Sequence, residues 1–400
     1  MLSNIITTRV NKWGERMEYG NNEFISYDGT EPESIEDWDS EETPFDADKI
    51  RIEQRMVSLK YMKELIDMDL MNLNPDFQRN RVWNEPKRKS LLIESLMLRI
   101  PIPAFYFYED EDSILHVIDG LQRLHTINDF LNGKFKLKYL QYLHESCNNK
   151  TFNELENKYK QRIFMTQFPV NIIDARTPSQ VKYDLFRRIN TGGVSLNAQE
   201  IRNSIAKPSV RKFLRGLAKS TEFNLATDNG VNDDRMAAQE LVLRYVAFYR
   251  AYDFEKRTLE YHKSDLEFFL DNAFEELNKM SDNELSKFEF YFKNAMQNAL
   301  ILFGKKSFRK YNRTTINDNK KKLVNKSLFT SLSVMLSYID TEFIKSRVNT
   351  DLALNKLIAL ITEDSRYSDG LTVGTNSVSN VKYNFKQTRL LIEEILDNVE

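Results

Sequence analysis

The stretch "ILHVIDGLQRLHTINDFLNG", Ile114–Gly133, decides how the first half of the chain is read. Five residues rich in β-branched and apolar side chains (Ile114–Ile118) end in Asp119-Gly120, and a helical pattern follows at once. Leu121, Leu124, Ile127 and Leu131 recur on one helical face, and Asn132-Gly133 supplies a stop. The segment therefore predicts a strand, a glycine turn and a helix. A helix start presents unpaired N–H groups and the positive end of the helix dipole. Gly120 lets an anion approach the backbone, and Arg123, one turn in, can fork onto phosphate oxygens. Asp119 can hold a metal, accept a proton, orient Arg123, or merely cap the helix. Gln122 can place a water or donate to phosphate.

The neighbouring segments extend this unit on both sides. Upstream, "SLKYMKELIDM" (Ser58–Met68) reads as a short strand or turn running into a helix. Pro86 followed by Leu92, Ile93, Leu96 and Met97 predicts a helix over 86–99, closed by Pro101 and Pro103. "AFYFY" (Ala104–Tyr108) is a strand, and "DEDS" turns it into a hairpin with Ile114–Ile118. Downstream, "FKLKYL" (135–140) and "FPVNIIDA" (168–175) read as strands. Ser179–Ile189 reads as a helix stopped by Asn190-Thr191-Gly192-Gly193. Asn197 and Glu200 then form a capping pair for the next helix. Beyond about residue 207 the strand signals fade. Helical patterns take over near 236–250, 264–279, 285–303, 327–345, 351–362 and 387–397.

Composition sets the outer bounds. Four hundred residues with 41% hydrophobic content can build two or three domains. A net charge of −2 gives the whole molecule no field for DNA or membrane, so any such contact must come from a local patch. A single cysteine, Cys147, excludes an intramolecular disulfide and a cysteine-cluster metal site. No apolar run reaches the roughly 18 residues of a membrane span, and no signal-peptide core is present, so a cytoplasmic location is expected. Glu31–Asp48 carries nine acids and no lysine or arginine, which reads as a solvated acidic arm. Residues 305–326 carry nine lysines or arginines and one acid. Lys305, Lys306, Arg309, Lys310, Arg313, Lys320, Lys321 and Lys322 are the candidate DNA-phosphate contacts there; a solvated loop is the competing reading.

Three ordered motifs bind these observations together. Pro75, Phe77, Gln78, Arg79 and Trp83 form the first; Asp119, Gly120, Gln122, Arg123 and Leu124 the second; Phe186, Arg188, Ile189, Asn190, Thr191, Gly192 and Gly193 the third. This set resembles the GmrSD-type restriction endonuclease N-terminal domain family, a branch of the ParB/sulfiredoxin-like nucleotide-binding fold. The residue pattern divides an α+β chain into three parts: an acidic arm at 1–50, a mixed domain at 51–206 and a mostly α-helical domain at 207–400. The resemblance implies that the middle part is a ParB/sulfiredoxin-like phosphate-binding domain. It implies Asp119, Gln122 and Arg123 as catalytic candidates, with Gly120, Gln78, Arg79, Arg188 and Asn190 holding nucleotide or phosphate. NTP and Mg2+ are the cofactors it allows, and no metal ligand set is read from the sequence itself. It implies DNA as a partner and a separate nuclease or defence subunit as a second one, in prokaryotic defence against foreign DNA.

Two departures from the family pattern shape the expected activity. Leu121 stands where the hallmark has its first glutamine, and His125 where it has its first threonine. With His116, His125, His144 and His262 as the only histidines, no HNH spacing is present. Two functions follow: an NTP- or phosphodiester-hydrolysing enzyme, or a nucleotide- or DNA-sensing subunit that controls a separate nuclease or toxin.

Overall fold

Period-two alternation in Phe105–Glu109 and Leu115–Asp119 and period-3.6 alternation in the flanking helices assemble one mixed sheet with helices on its faces. The computed structural model describes residues 9–10, 16–17, 28–33, 51–73, 83, 85–189, 196–317, 321–347 and 349–397. It divides into two compact units, Thr43–Ile205, and Met1–Glu42 with Ala206–Glu400. The chain is thus mixed α+β: a five-stranded sheet with its helices, and a mostly helical remainder.

In chain order the first elements are β1 (Arg9–Val10) and β2 (Arg16–Met17), a short antiparallel pair. The sheet unit then contains β3 (Ile52–Ser58), α1 (Leu59–Asp67), β4 (Met71–Asn72), α2 (Pro86–Leu98), β5 (Phe105–Glu109) and β6 (Leu115–Asp119). It continues with α3 (Leu121–Leu131), α4 (His144–Cys147), α5 (Asn157–Met165), β7 (Gln167–Ile173), α6 (Ser179–Ile189) and α7 (Ala198–Ile205). Strand order is β3-β7-β5-β6-β4. The β5–β6 hairpin and the β3–β7 pair are antiparallel, while β7–β5 and β4–β6 are parallel.

One face of this sheet carries the core. Phe105, Phe107, Val117, Phe168 and Val170 point into it. Leu59 and Met62 of α1, Ile93, Leu96 and Met97 of α2, Leu124 and Ile127 of α3, and Ile163 of α5 cover them. Each such side chain contributes about 1.5–3 kcal/mol on burial, so α3 alone commits its face through Leu121, Leu124, Ile127 and Phe130. On the opposite face α6 and α7 pack against β6, with Phe186 buried beside Tyr108. The expected Asn197–Glu200 capping pair is formed: each backbone N–H donates to the other's side chain at 2.8 Å.

The expected strand at 135–140 is instead an irregular loop. Leu137 exchanges backbone bonds with Lys150 and Asn149, and side chains of α2 hold the backbone from 138 to 143. The buried Glu94 carboxylate accepts N–H bonds from Gln141, Tyr142 and Leu143 at 2.7–3.0 Å, and Ser90 Oγ accepts from Lys138 at 2.9 Å. A buried carboxylate with several backbone donors is stable where a lone one is not.

The helical unit contains α8 (Pro208–Ala218), α9 (Thr221–Ala226), α10 (Ala237–Ala251), the short pair β8 (Tyr252–Asp253) and β9 (Thr258–Leu259), and α11 (Leu266–Lys279). It ends with α12 (Asp282–Phe303), α13 (Lys326–Leu336), α14 (Thr341–Arg347), α15 (Thr350–Glu363), α16 (Ser365–Gly370) and α17 (Val378–Asp397). The single helix expected at 327–345 is two. Asn294 and Asn298 of α12 donate to the carbonyls of Leu336, Ser337 and Ile339, ending α13, and Thr341 donates back to both asparagines. Residues 28–33, from the segment read as a solvated arm, belong to this unit. Thr30 bridges to Val324, and Glu33 forms a bidentate pair with Arg244 at 2.5 and 2.9 Å. Arg244 is nearly buried and also meets Glu240 at 2.8 Å.

Burial opposes ionisation of Glu33, but Arg244 and Lys326 outweigh it and hold the carboxyl below the ordinary glutamate range. Its stabilising contribution is therefore complete above that range and lost as pH falls through it. Glu33→Ala should cost about 2–3 kcal/mol, because it leaves Arg244 buried with Glu240 alone. Denaturant melts should show this loss near neutral pH and a shrinking gap to wild type on acidification. An equal gap at both pH values would contradict it.

Candidate functional site

The β6–α3 junction is built by a bulge. Register runs Phe107↔Val117 and then Tyr106↔Asp119, so β6 carries one extra residue just before its end. Bulges bend a strand and re-aim the side chains beyond them. Gly120 follows at φ 98°, the left-handed region, and serves as the N-cap of α3 with no side-chain cap. Asp119 is therefore not the cap. An ideal Cβ on Gly120 would lie 2.2 Å from Phe105 Cδ1, so the site requires glycine for space as well as for φ.

Arg123 organises this turn. Its guanidinium donates to the carbonyls of Pro103 and Ala104 (3.0 Å for the latter) and to Asp119 Oδ2 at 3.0 Å, and it lies 4.5 Å above the Phe105 ring. Its side chain is 11% exposed, against 42% for Asp119. Burial weakens the guanidinium's hold on its proton, and Asp119 offsets that. The sequence reading gave the Arg123 guanidinium to phosphate oxygens. In the structure it is folded back, because Pro101-Ile102-Pro103 is irregular backbone whose carbonyls need donors. Asp119 is the more exposed partner of the pair, and α3 starts on Gly120, whose carbonyl accepts the first helical bond from Leu124 N–H at 2.9 Å.

Gln122 Oε1 accepts the Trp83 N–H at 3.1 Å, and Arg88 stacks on the Trp83 ring at 4.1 Å. The first motif's tryptophan thus meets the second motif's glutamine. Leu121 is buried in the core. His125 is half-buried, with Nε2 2.9 Å from Leu73 O, and burial pushes its pKa down. A neutral imidazole donating from Nε2 fits both facts. In the third motif Phe186 is buried and Arg188 is exposed near the end of α6. Gln78, Arg79 and Asn190 lie outside the described residues. Among the described residues the contacts gather Asp119, Gly120, Gln122, Arg123 and Trp83. Sequence reading missed the Pro103 and Ala104 carbonyls and Phe105; the two nearby prolines were the available signal.

The basic segment in the helical unit is used largely on itself. Arg309 is buried and donates to the carbonyls of Thr227, Lys305, Ser307 and Lys322 at 2.5–3.3 Å. It is a structural tie rather than a surface contact for DNA. Lys310 reaches Ser368 O and Thr372, Lys322 reaches Lys310 O and Thr315, and Arg313 pairs with Glu363. Lys305 and Lys321 share Asp228, and Lys306 lies 5.9 Å from the Tyr311 ring centre. Lys320 lies outside the described residues.

Two outcomes test this geometry. Gly120→Ala should destabilise the sheet unit by about 2 kcal/mol or more, from the left-handed φ and the Phe105 clash together; a normal melting curve would contradict the placement. His125 binds its proton less tightly folded than unfolded, so stability should fall as pH drops below about 6.5. His125→Gln should remove that part of the pH dependence, and a retained slope would assign it elsewhere.

No helix among the described residues is long and apolar enough to cross a membrane. No curated protein and no solved structure matches the chain. Residues 62–207 match the family model described as GmrSD restriction endonuclease, N-terminal domain. Residues 62–207, the stretch that holds the Asp119–Arg123 turn, are therefore similar to the GmrSD restriction endonuclease N-terminal domain, a match that supports a restriction-type defence protein.

Proposed function

We propose that the sheet unit is a ParB/sulfiredoxin-like domain that binds a nucleotide triphosphate or a DNA phosphate at the start of α3, within a cytoplasmic restriction-type defence protein. The observation that carries this is the start of α3 on Gly120, a residue that offers no side-chain cap, directly beside the half-exposed Asp119. The helix start at Gly120 supplies the anion seat, with the amides of Leu121 and Arg123 beside it. Arg123 is then a positioning residue: it fixes the turn from below and lends the phosphate only its field.

Asp119 alone would repel a bare phosphate. A phosphate that arrives with Mg2+ suits it, because Mg2+ is commonly held by one or two carboxylates plus phosphate oxygens. Bound there, Mg2+ would neutralise phosphate charge. Asp119 would hold it, and Gln122 would fix the Trp83 backbone beside it.

Between hydrolysis and sensing, the geometry favours sensing. Leu121 is buried where the family hallmark has a polar side chain, and the inward face of the Arg123 guanidinium is occupied by the protein. In this reading ligand occupancy is transmitted to a separate nuclease or toxin, with DNA as the second partner. The runner-up reading is NTP or phosphodiester hydrolysis at the same turn, with Asp119 and Gln122 as the catalytic groups.

Nucleotide affinity and product release, measured with Mg2+ and with or without DNA, test both. Wild type should bind a triphosphate in a Mg2+-dependent way. Asp119→Asn should weaken that by about tenfold to a hundredfold, the equivalent of one charge-assisted contact. Turnover that collapses in Asp119→Asn while binding survives would favour the enzyme. Absence of both nucleotide and DNA binding in wild type would overturn the phosphate reading.

A further inference from the structure

The sheet has an outer edge at β3. This strand is seven residues long, pairs with β7 in unbroken antiparallel register, and has no other strand partner among the described residues. Asp174 donates to Arg51 O at 3.0 Å and Leu59 donates to Thr166 O at 2.9 Å, which fixes the odd-numbered residues as those bonded to β7. By the alternation of an antiparallel ladder, Ile52, Gln54, Met56 and Ser58 aim their N–H and C=O groups at the free edge. Such an edge is a template for another strand, and proteins usually blunt it with proline, charged side chains, a bulge or brevity. β3 has no proline, lysine or bulge, and its two charges, Glu53 and Arg55, are of opposite sign. It also exposes Ile52 (44%) and Met56 (62%) on the face away from the core.

The sequence of β3 is self-complementary in one register. Edge pairing about a two-fold axis must set even residues against even ones, which permits centres at Glu53, Gln54, Arg55 or Met56. A centre at Glu53 opposes two Glu53 carboxylates, and a centre at Arg55 opposes two guanidiniums. A centre at Met56 leaves both charges without an opposite partner. A centre at Gln54 sets Glu53 against Arg55 of the second copy, twice, in the non-hydrogen-bonded positions where side chains lie closest. It also sets Ile52 against Met56, twice. Within the chain Glu53 and Arg55 already pair along the strand, so the two copies would close a ring of four alternating charges.

We propose that β3 is a homodimer interface: two copies join their sheets edge to edge, antiparallel and centred on Gln54. Six backbone hydrogen bonds follow from the three even-numbered pairs. The occupant is a second copy of this chain because the charge pattern is complementary to itself in that register. The inference is independent of the phosphate site.

Sedimentation velocity on the full chain over a concentration series tests it. Wild type should be a reversible dimer. Arg55→Glu and Glu53→Arg each replace two attractive cross-strand pairs by repulsive ones, and each should weaken the dimer about tenfold or more. Mixing these two variants should restore a heterodimer, since all four cross-strand charges become complementary again, and the double swap E53R/R55E should restore the homodimer. Gln54→Pro removes an outward N–H without touching the β7 ladder and should give a monomer with wild-type melting. A monomeric wild type would overturn the proposal. So would a dimer unaffected by Arg55→Glu, or variants that fail to recombine.

Discussion

The guanidinium of Arg123 is the tie on which the sheet unit's site depends. It joins the carbonyls of Pro103 and Ala104, the ring of Phe105 and the carboxylate of Asp119. Those four groups come from the segment before β5, the start of β5 and the end of β6, and Arg123 reaches them from the first turn of α3. Without a donor there, two carbonyls between α2 and β5 would be left without partners, and Asp119 would have no fixed orientation. The glycine at 120 is part of the same constraint, since only a residue without Cβ allows Phe105 to pass so close beneath the turn. A charge that looks like a ligand contact in sequence is spent on holding the backbone, and the backbone becomes the candidate ligand contact.

The same exchange of roles occurs in the helical unit. A run of lysines and arginines suggests a surface for phosphates, yet Arg309 is buried among four carbonyls and Lys310, Lys322 and Arg313 are bound to neighbouring segments. An irregular segment must satisfy its carbonyls without a ladder, and long cationic side chains are efficient donors for that purpose. Residues 28–33 show the converse case. An acidic stretch reads as solvated because it has too few apolar side chains to order itself, but Glu33 finds a buried arginine that needs a counter-charge.

Much of this was legible from residue pattern. The β5–β6 hairpin, α2, α3, β7 and α6 follow their periodicities, and the Asn197–Glu200 cap follows from local chemistry. The irregular backbone from 135 to 143 was not legible, because Ser90 and Glu94, which accept from Lys138 and from Gln141–Leu143, sit on a helix more than forty residues away. The break between α13 and α14 was invisible for the same reason: Asn294 and Asn298 act from another helix. At the candidate site, the motif named Asp119, Gly120, Gln122 and Arg123, but periodicity gives only the face of α3 on which a side chain starts. It does not tell that Arg123 bends back under the turn, since that depends on carbonyls nineteen and twenty residues away.

The central claim is that the first-turn amides of α3, held in place by Arg123, are the phosphate seat. Amide hydrogen exchange of the full chain with and without Mg2+ and a nucleoside triphosphate measures this most directly. The account predicts ligand-dependent protection concentrated at residues 119–124, with the interior of α3 little changed. Saturable binding that leaves those amides exchanging at their free rate would contradict it.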